Sequence, residues 1–150
     1  MDNTDGEKLF VGRISHACAV VRPENLQKAM DLMGRALQIE FEGPFFREDT
    51  GNLAGVAAKA GIEIIAPGTP DHRLHQHIEQ YGEGWYVIGF GVSDQDGSCQ
   101  RMKDMGHEPL GRVVRTGLEG WADDYKRLEV TMFDPSVFGG LRMVLSTFEQ

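Results

Sequence analysis

The 150-residue chain carries 15 Lys and Arg against 23 Asp and Glu, a net charge of -8. That length suffices for one domain (residues 1–150) with a hydrophobic core that needs no disulfide or metal staple, and the negative balance disfavours nucleic-acid backbones and anionic membrane surfaces. Cys18 and Cys99 are far apart and form no C-x-x-C unit, so neither a zinc knuckle nor a redox motif is read from them and two reduced thiols are expected. The polar start Met1-Asp2-Asn3-Thr4-Asp5-Gly6-Glu7-Lys8, and the lack of any apolar run of about 20 residues, make a cytoplasmic protein the expectation.

In chain order, Ile14 to Val21 is small and β-branched and ends at Arg22-Pro23, which reads as a strand running into a helix start. From Glu24 to Leu37 the apolar residues Leu26, Ala29, Met30, Met33 and Leu37 recur at three- and four-residue steps, the pattern of an amphipathic helix. Three strands are predicted next, around Gln38–Phe41 or Phe45-Phe46, at Leu53–Lys59 and at Ile62–Ala66, with Gly43-Pro44, Thr50-Gly51-Asn52 and Pro67-Gly68 as breaks. Residues 69–82 read as a connecting helix. After it the order restarts: a strand at Trp85–Val92, a helix capped by Ser93-Asp94 and ending before Gly106, then strands near His107–Val114, Arg127–Phe133 and Leu141–Phe148. A loop at Trp121-Ala122-Asp123-Asp124 and a turn from Asp134-Pro135 to Gly139-Gly140 interrupt them.

Two βαβββ modules, residues 12–68 and 84–148, therefore account for most of the chain. The predicted class is α+β, with the paired modules forming a cupped, barrel-like mixed sheet and helices outside. Strand alternation divides Leu141, Met143 and Leu145, expected to face helices, from Arg142, Val144 and Ser146. Applied to the preceding strand, the same split sends Leu128, Val130 and Met132 to the helices and Glu129 to the cavity. Two ionisable residues lie inside apolar strands, where an unpartnered polar group is costly: His16 in Ile14-Ser15-His16-Ala17-Cys18 and Glu63 in Ile62-Glu63-Ile64-Ile65-Ala66-Pro67.

The paired modules, the Ser15-His16 strand, the Ile62–Pro67 strand and the segment from Gly82-Glu83-Gly84 to Val92-Ser93-Asp94 together resemble the vicinal oxygen chelate superfamily. This is the glyoxalase, bleomycin-resistance and dioxygenase group, and the nearest likeness is to methylmalonyl-CoA epimerase and glyoxalase I. The resemblance implies a U-shaped cavity holding a divalent metal through four side chains, one from the first and last strand of each module, and proton transfer beside a carbonyl. Carried over by position, His16 and Glu63 match the first two ligands, whereas Val87 and Val144 stand at the third and fourth. Valine binds no metal, so no cofactor is predicted, and His16 and Glu63 would serve as ligands only if a metal were present. The resemblance also implies a homodimer.

The expected function is isomerase- or lyase-type proton transfer on a largely apolar carbonyl or acyl small molecule. His16 and Glu63 would act as acid and base, and Arg142 would hold a carboxylate or enolate oxygen. Trp85, Val87, Glu129 and Val144 are the candidate substrate-binding residues, the two valines making one end apolar. Two alternatives stand beside this one: a non-catalytic binding or sequestering protein of the bleomycin-resistance kind, and a metal enzyme whose ligands have moved, for instance onto Glu129 or a histidine from a partner chain. His72, His75 and His77 read as part of a solvated helix, because only the first two share a face and no H-E-x-x-H pattern accompanies them. Gly89-Phe90-Gly91 lies inside a strand and reads as close backbone packing, not a nucleotide loop.

Overall fold

A computed structural model describes residues 12–117, 120–121, 126–138 and 140–149. The acidic start, Ala122 to Asp124 of the expected loop, and Gly139 lie outside the described residues. The elements are β1 (Ile14–Val20), α1 (Leu26–Leu37), β2 (Glu42–Arg47), β3 (Asn52–Ala57), β4 (Ile62–Pro67), α2 (Leu74–Tyr81), β5 (Gly84–Gly91), α3 (Gln95–Asp104), β6 (Gly111–Arg115), β7 (Arg127–Met132) and β8 (Arg142–Glu149), with short 3-10 turns at Pro23–Asn25, Ala58–Ala60 and Pro135–Phe138. This is the expected α+β arrangement of two βαβββ modules. The first helix begins two residues later than its periodicity suggests because Pro23 sets a 3-10 turn ahead of it. The connecting helix also starts late. Thr69 to His72 form a turn, and the His72 imidazole accepts the Leu74 N–H through Nδ1.

The chain divides into two compact units, residues 17–86 and the N-terminal residues through 16 together with 87–150. In the first unit the strand order is β2-β3-β4-β1. β1 and β4 run parallel, joined through the α1 crossover and the β2-β3 hairpin, and the remaining pairs are antiparallel. α1 covers one face, with Leu26 and Met30 buried against Ala19, Ile64 and Ala66. Each such fully buried apolar side chain contributes ~1.5–3 kcal/mol relative to exposure. The helix comes this close because Gly55 on β3 carries no side chain, and a Cβ there would overlap the Met30 thioether. At the end of the unit, Glu83 Oε1 accepts from the Arg22 N–H at 2.7 Å and from Asn25 Nδ2 at 2.8 Å, tying the stretch before β5 to the turn that opens α1.

In the second unit the order is β5-β8-β7-β6, the same plan with β5 and β8 parallel. The start of the described chain runs beside β5, the Gly12 N–H donating to Gly91 O and the Gly91 N–H to Arg13 O. α3 is capped by Asp94, whose carboxylate accepts the Gly97 N–H. It is fixed to the sheet by Gln95, which is 6% exposed. The Gln95 amide donates to Glu129 O and Leu145 O, and its oxygen accepts from the Thr131 hydroxyl. The backbone registers make the two modules comparable residue by residue. Glu63 is paired with Cys18, two positions beyond His16, and Val144 with Gly89, two positions beyond Val87.

Replacing Gln95 by Ala leaves the buried Thr131 hydroxyl and two carbonyls short of a partner and should lower unfolding free energy by ~2–3 kcal/mol, read by urea denaturation. Hydrogen bonds from the Arg22 backbone and the Asn25 amide hold the Glu83 carboxyl below its usual range. The stabilisation they supply is therefore present above the unfolded carboxylate pKa and lost as pH falls through the folded one. The gap in melting temperature between the protein and Glu83→Ala should be open at pH 7 and close on acidification, as thermal scans at successive pH values would show.

Candidate functional site

In the unit spanning residues 17–86, the registers put Cys18, Val20, Glu63, Ile65, Val56 and Arg47 on the face turned away from α1. Glu63 is mostly buried among apolar neighbours, and its carboxylate is met by the Arg47 guanidinium at the end of β2. The contact is two-pronged, with Nη1 to Oε1 at 2.7 Å and Nη2 to Oε2 at 3.1 Å. Only 5% of the arginine side chain and 12% of the glutamate side chain are exposed, so water does little to screen the pair. The fork of the guanidinium matches both oxygens at once and fixes the plane of the carboxylate. Burial pushes the neighbouring Cys18 thiol well above its usual range, Glu63 pushing it further and Arg47 opposing, so the thiol stays protonated.

Arg47 was not among the residues singled out from the sequence. Its signal was the two-residue period of Phe45-Phe46-Arg47, which sends the arginine to the same side as Phe45, but an arginine at a strand end is ordinarily read as solvated. Trp85, in the same unit, is 50% exposed, whereas the adjacent Tyr86 is buried with its ring 4.6 Å from that of His77. The other two histidines are engaged structurally, His72 Nε2 at 2.8 Å from Thr50 O and His75 Nε2 at 3.1 Å from Thr69 O.

In the other unit, the face of the sheet turned away from α3 carries Val87 and Gly89 of β5, and Arg142, Val144, Ser146 and Phe148 of β8. His16 lies over Gly89. A Cβ at that position would overlap the imidazole at Cε1 and Nδ1, which explains the glycine inside the strand. The imidazole stands edge-on to Trp121 and Phe148, with ring centroids 6.1 and 6.2 Å away, and Nδ1 is 3.1 Å from Ser15 Oγ. Val144 is 3% exposed. Arg142 is half-buried in register with Val87, its Nη1 3.9 Å from the Met132 sulfur.

Glu129 requires a correction. The pairing Val130↔Ser146 forces Leu128, Val130 and Met132 onto the face of Val144, and turns Glu129 and Thr131 toward α3. Alternation by polarity misled here because the polar side of β7 has its own partners. Gln95 satisfies Thr131, and Arg112 and Arg127 bind the Glu129 carboxylate. Glu129 thus lies on the α3 side of the sheet, away from the face that holds His16 and Arg142.

The sequence profile described as the Glyoxalase/Bleomycin resistance protein/Dioxygenase superfamily matches residues 15–123. The chain belongs to this superfamily. No curated protein matches it. Among solved structures, the superfamily member is similar to a variant of the Streptomyces coelicolor methylmalonyl-CoA epimerase in complex with 2-nitronate-propionyl-CoA, at 20% identity and a TM-score of 0.66 over 91% of this chain and 97% of that one. It is also similar to the Mycobacterium tuberculosis methylmalonyl-CoA epimerase, at 18% identity and a TM-score of 0.65 over 91% and 88%. A hypothetical protein from Bacillus halodurans matches at 18% and 0.66 over 92% and 94%. At these identities the likeness establishes the fold.

The residues present do not fit the superfamily's four-ligand metal. Val87 and Val144 stand at two of the positions, and both oxygens of Glu63 face a guanidinium. Among the described residues, no group of three or more His, Cys, Asp or Glu side chains is placed to hold a metal ion. Gly89→Ala must displace the His16 ring. It should shift the His16 imidazole resonances in NMR spectra and lower stability by ~1–3 kcal/mol, the usual cost of overpacking.

Proposed function

We propose that the protein is an isomerase-type enzyme that moves a proton beside the carbonyl of a largely apolar acyl or carbonyl small molecule, with no step routed through a metal. The observation that carries this reading is His16, an imidazole seated on Gly89 between Trp121 and Phe148 in a member of a superfamily whose solved relatives include epimerases. His16 gives and takes the proton, a task to which imidazole is suited near neutral pH. Glu63 is the second ionisable group, its carboxylate oriented by Arg47, and Arg142 offers positive charge to a carboxylate or to the oxygen that becomes negative as the proton leaves. Val87 and Val144 replace ligating side chains with apolar ones, which favours an apolar acyl portion.

Two of the solved epimerases are described with coenzyme A thioesters, 2-nitronate-propionyl-CoA and methylmalonyl-CoA, which makes acyl thioesters the first class to test. The net charge of -8 gives a polyanionic carrier no long-range attraction, so the reading commits to the acyl part and leaves the carrier to the experiment. One observation favours the alternative of a non-catalytic binding protein: both oxygens of Glu63 are already occupied by Arg47.

Incubation of methylmalonyl-CoA and a panel of uncharged α-branched thioesters in deuterium oxide, followed by mass spectrometry, separates the two. Catalysis predicts label at the α-carbon that drops at least ~100-fold with His16→Ala and with Glu63→Gln, the lower end for loss of an acid or base. Binding of a panel member without label in any protein would sink the enzyme reading and leave the sequestering one.

A further inference from the structure

Arg47 is a firmly placed group that neither the sequence reading nor the superfamily's four-ligand scheme assigns. It brings a full positive charge to Glu63, the only one of the two module-ending positions, Glu63 and Val144, that still carries a carboxylate. Losing either partner takes this countercharge away from a buried ionic group, since both side chains are nearly excluded from water. A divalent ion approaching Glu63 would meet, at both carboxylate oxygens, a guanidinium that cannot be deprotonated and already donates two charge-assisted hydrogen bonds, and its positive charge would oppose the ion at close range.

We propose that Arg47 is the built-in cation of this site: its guanidinium takes, against Glu63, the electrostatic place that a metal ion takes in metal-dependent members of the superfamily, and so makes the protein metal-independent. This deepens the functional reading above by naming the positioning residue for Glu63. Arg47 fixes the carboxylate plane through two parallel hydrogen bonds, and it neutralises a charge that burial would otherwise penalise. A guanidinium also differs from a metal in what it can do. It has no vacant coordination position and cannot bind two substrate oxygens by chelation, so the substrate is held by shape and hydrogen bonds instead.

The experiment reads metal content and stability and does not depend on turnover, so it is decided separately from the deuterium exchange. Protein expressed in medium supplemented with zinc, cobalt and manganese and purified without chelator should contain under ~0.1 metal per chain by elemental analysis. Millimolar Co2+ should change neither its melting temperature nor its visible absorption, because the donor set cannot complete a site. Arg47→Met should lower the melting temperature by ~10 °C, the usual cost of removing one member of a buried ion pair in a chain of this length. Adding Glu63→Gln to Arg47→Met should recover at least half of that fall, and Arg47→Lys should fall between Arg47→Met and the parent. Near-stoichiometric metal whose removal by EDTA lowers the melting temperature would overturn the proposal. So would equal stability of Arg47→Met and Arg47→Met/Glu63→Gln. If Arg47→Met does not fold, Arg47→Lys with and without Glu63→Gln and the metal content of the parent protein carry the same decision.

Discussion

The parallel pairing of the first and last strand is the constraint on which each module depends. Hydrogen bonds between β1 and β4, and between β5 and β8, require a crossover long enough to return the chain to the same end of the sheet, and the helix within it must bury its apolar stripe on one face. In the first module that face is filled by Leu26 and Met30 over Ala19, Ile64 and Ala66. In the second it is held by Gln95, which ties α3 to β7 and β8. The same pairing brings Glu63 beside Cys18 and Val144 beside Gly89, so the register that builds the core also decides which side chains share the opposite face.

On the opposite face of each module, the ionisable side chain set among apolar strands has partners of its own. Glu63 is held by Arg47, and the His16 imidazole by Ser15, the Gly89 backbone and two aromatic rings. Glycine at position 89 and arginine at position 47 are thus not independent of the two ionisable residues. Each supplies what its neighbour needs, space for a ring in one case and countercharge in the other. The valines at positions 87 and 144 need no such support, which is consistent with their packing as ordinary apolar side chains in the half that lacks ligands.

Much of the architecture was legible from periodicity. Two-residue alternation bounded by glycine and proline located the strands to within a few residues, and the spacing of Leu26, Met30 and Met33 located α1. Errors arose where a short side-chain contact overrode the pattern. Pro23 and His72 moved helix starts, and Gln95 reversed the expected direction of β7 by giving Thr131 a buried partner. Polarity along a single strand is a fair guide to solvent, but it says nothing about a buried polar residue arriving from another element.

The sequence by itself determined the order of elements, the resemblance carried by His16 and Glu63, and the loss of ligating side chains at positions 87 and 144, because these are properties of residue type and spacing. Only the tertiary structure decided that Arg47 meets Glu63, that His16 rests on Gly89, and that Glu129 turns toward α3. Those three outcomes depend on cross-strand register, and register is set by the summed packing and hydrogen bonding of strands distant in sequence, which no local pattern records.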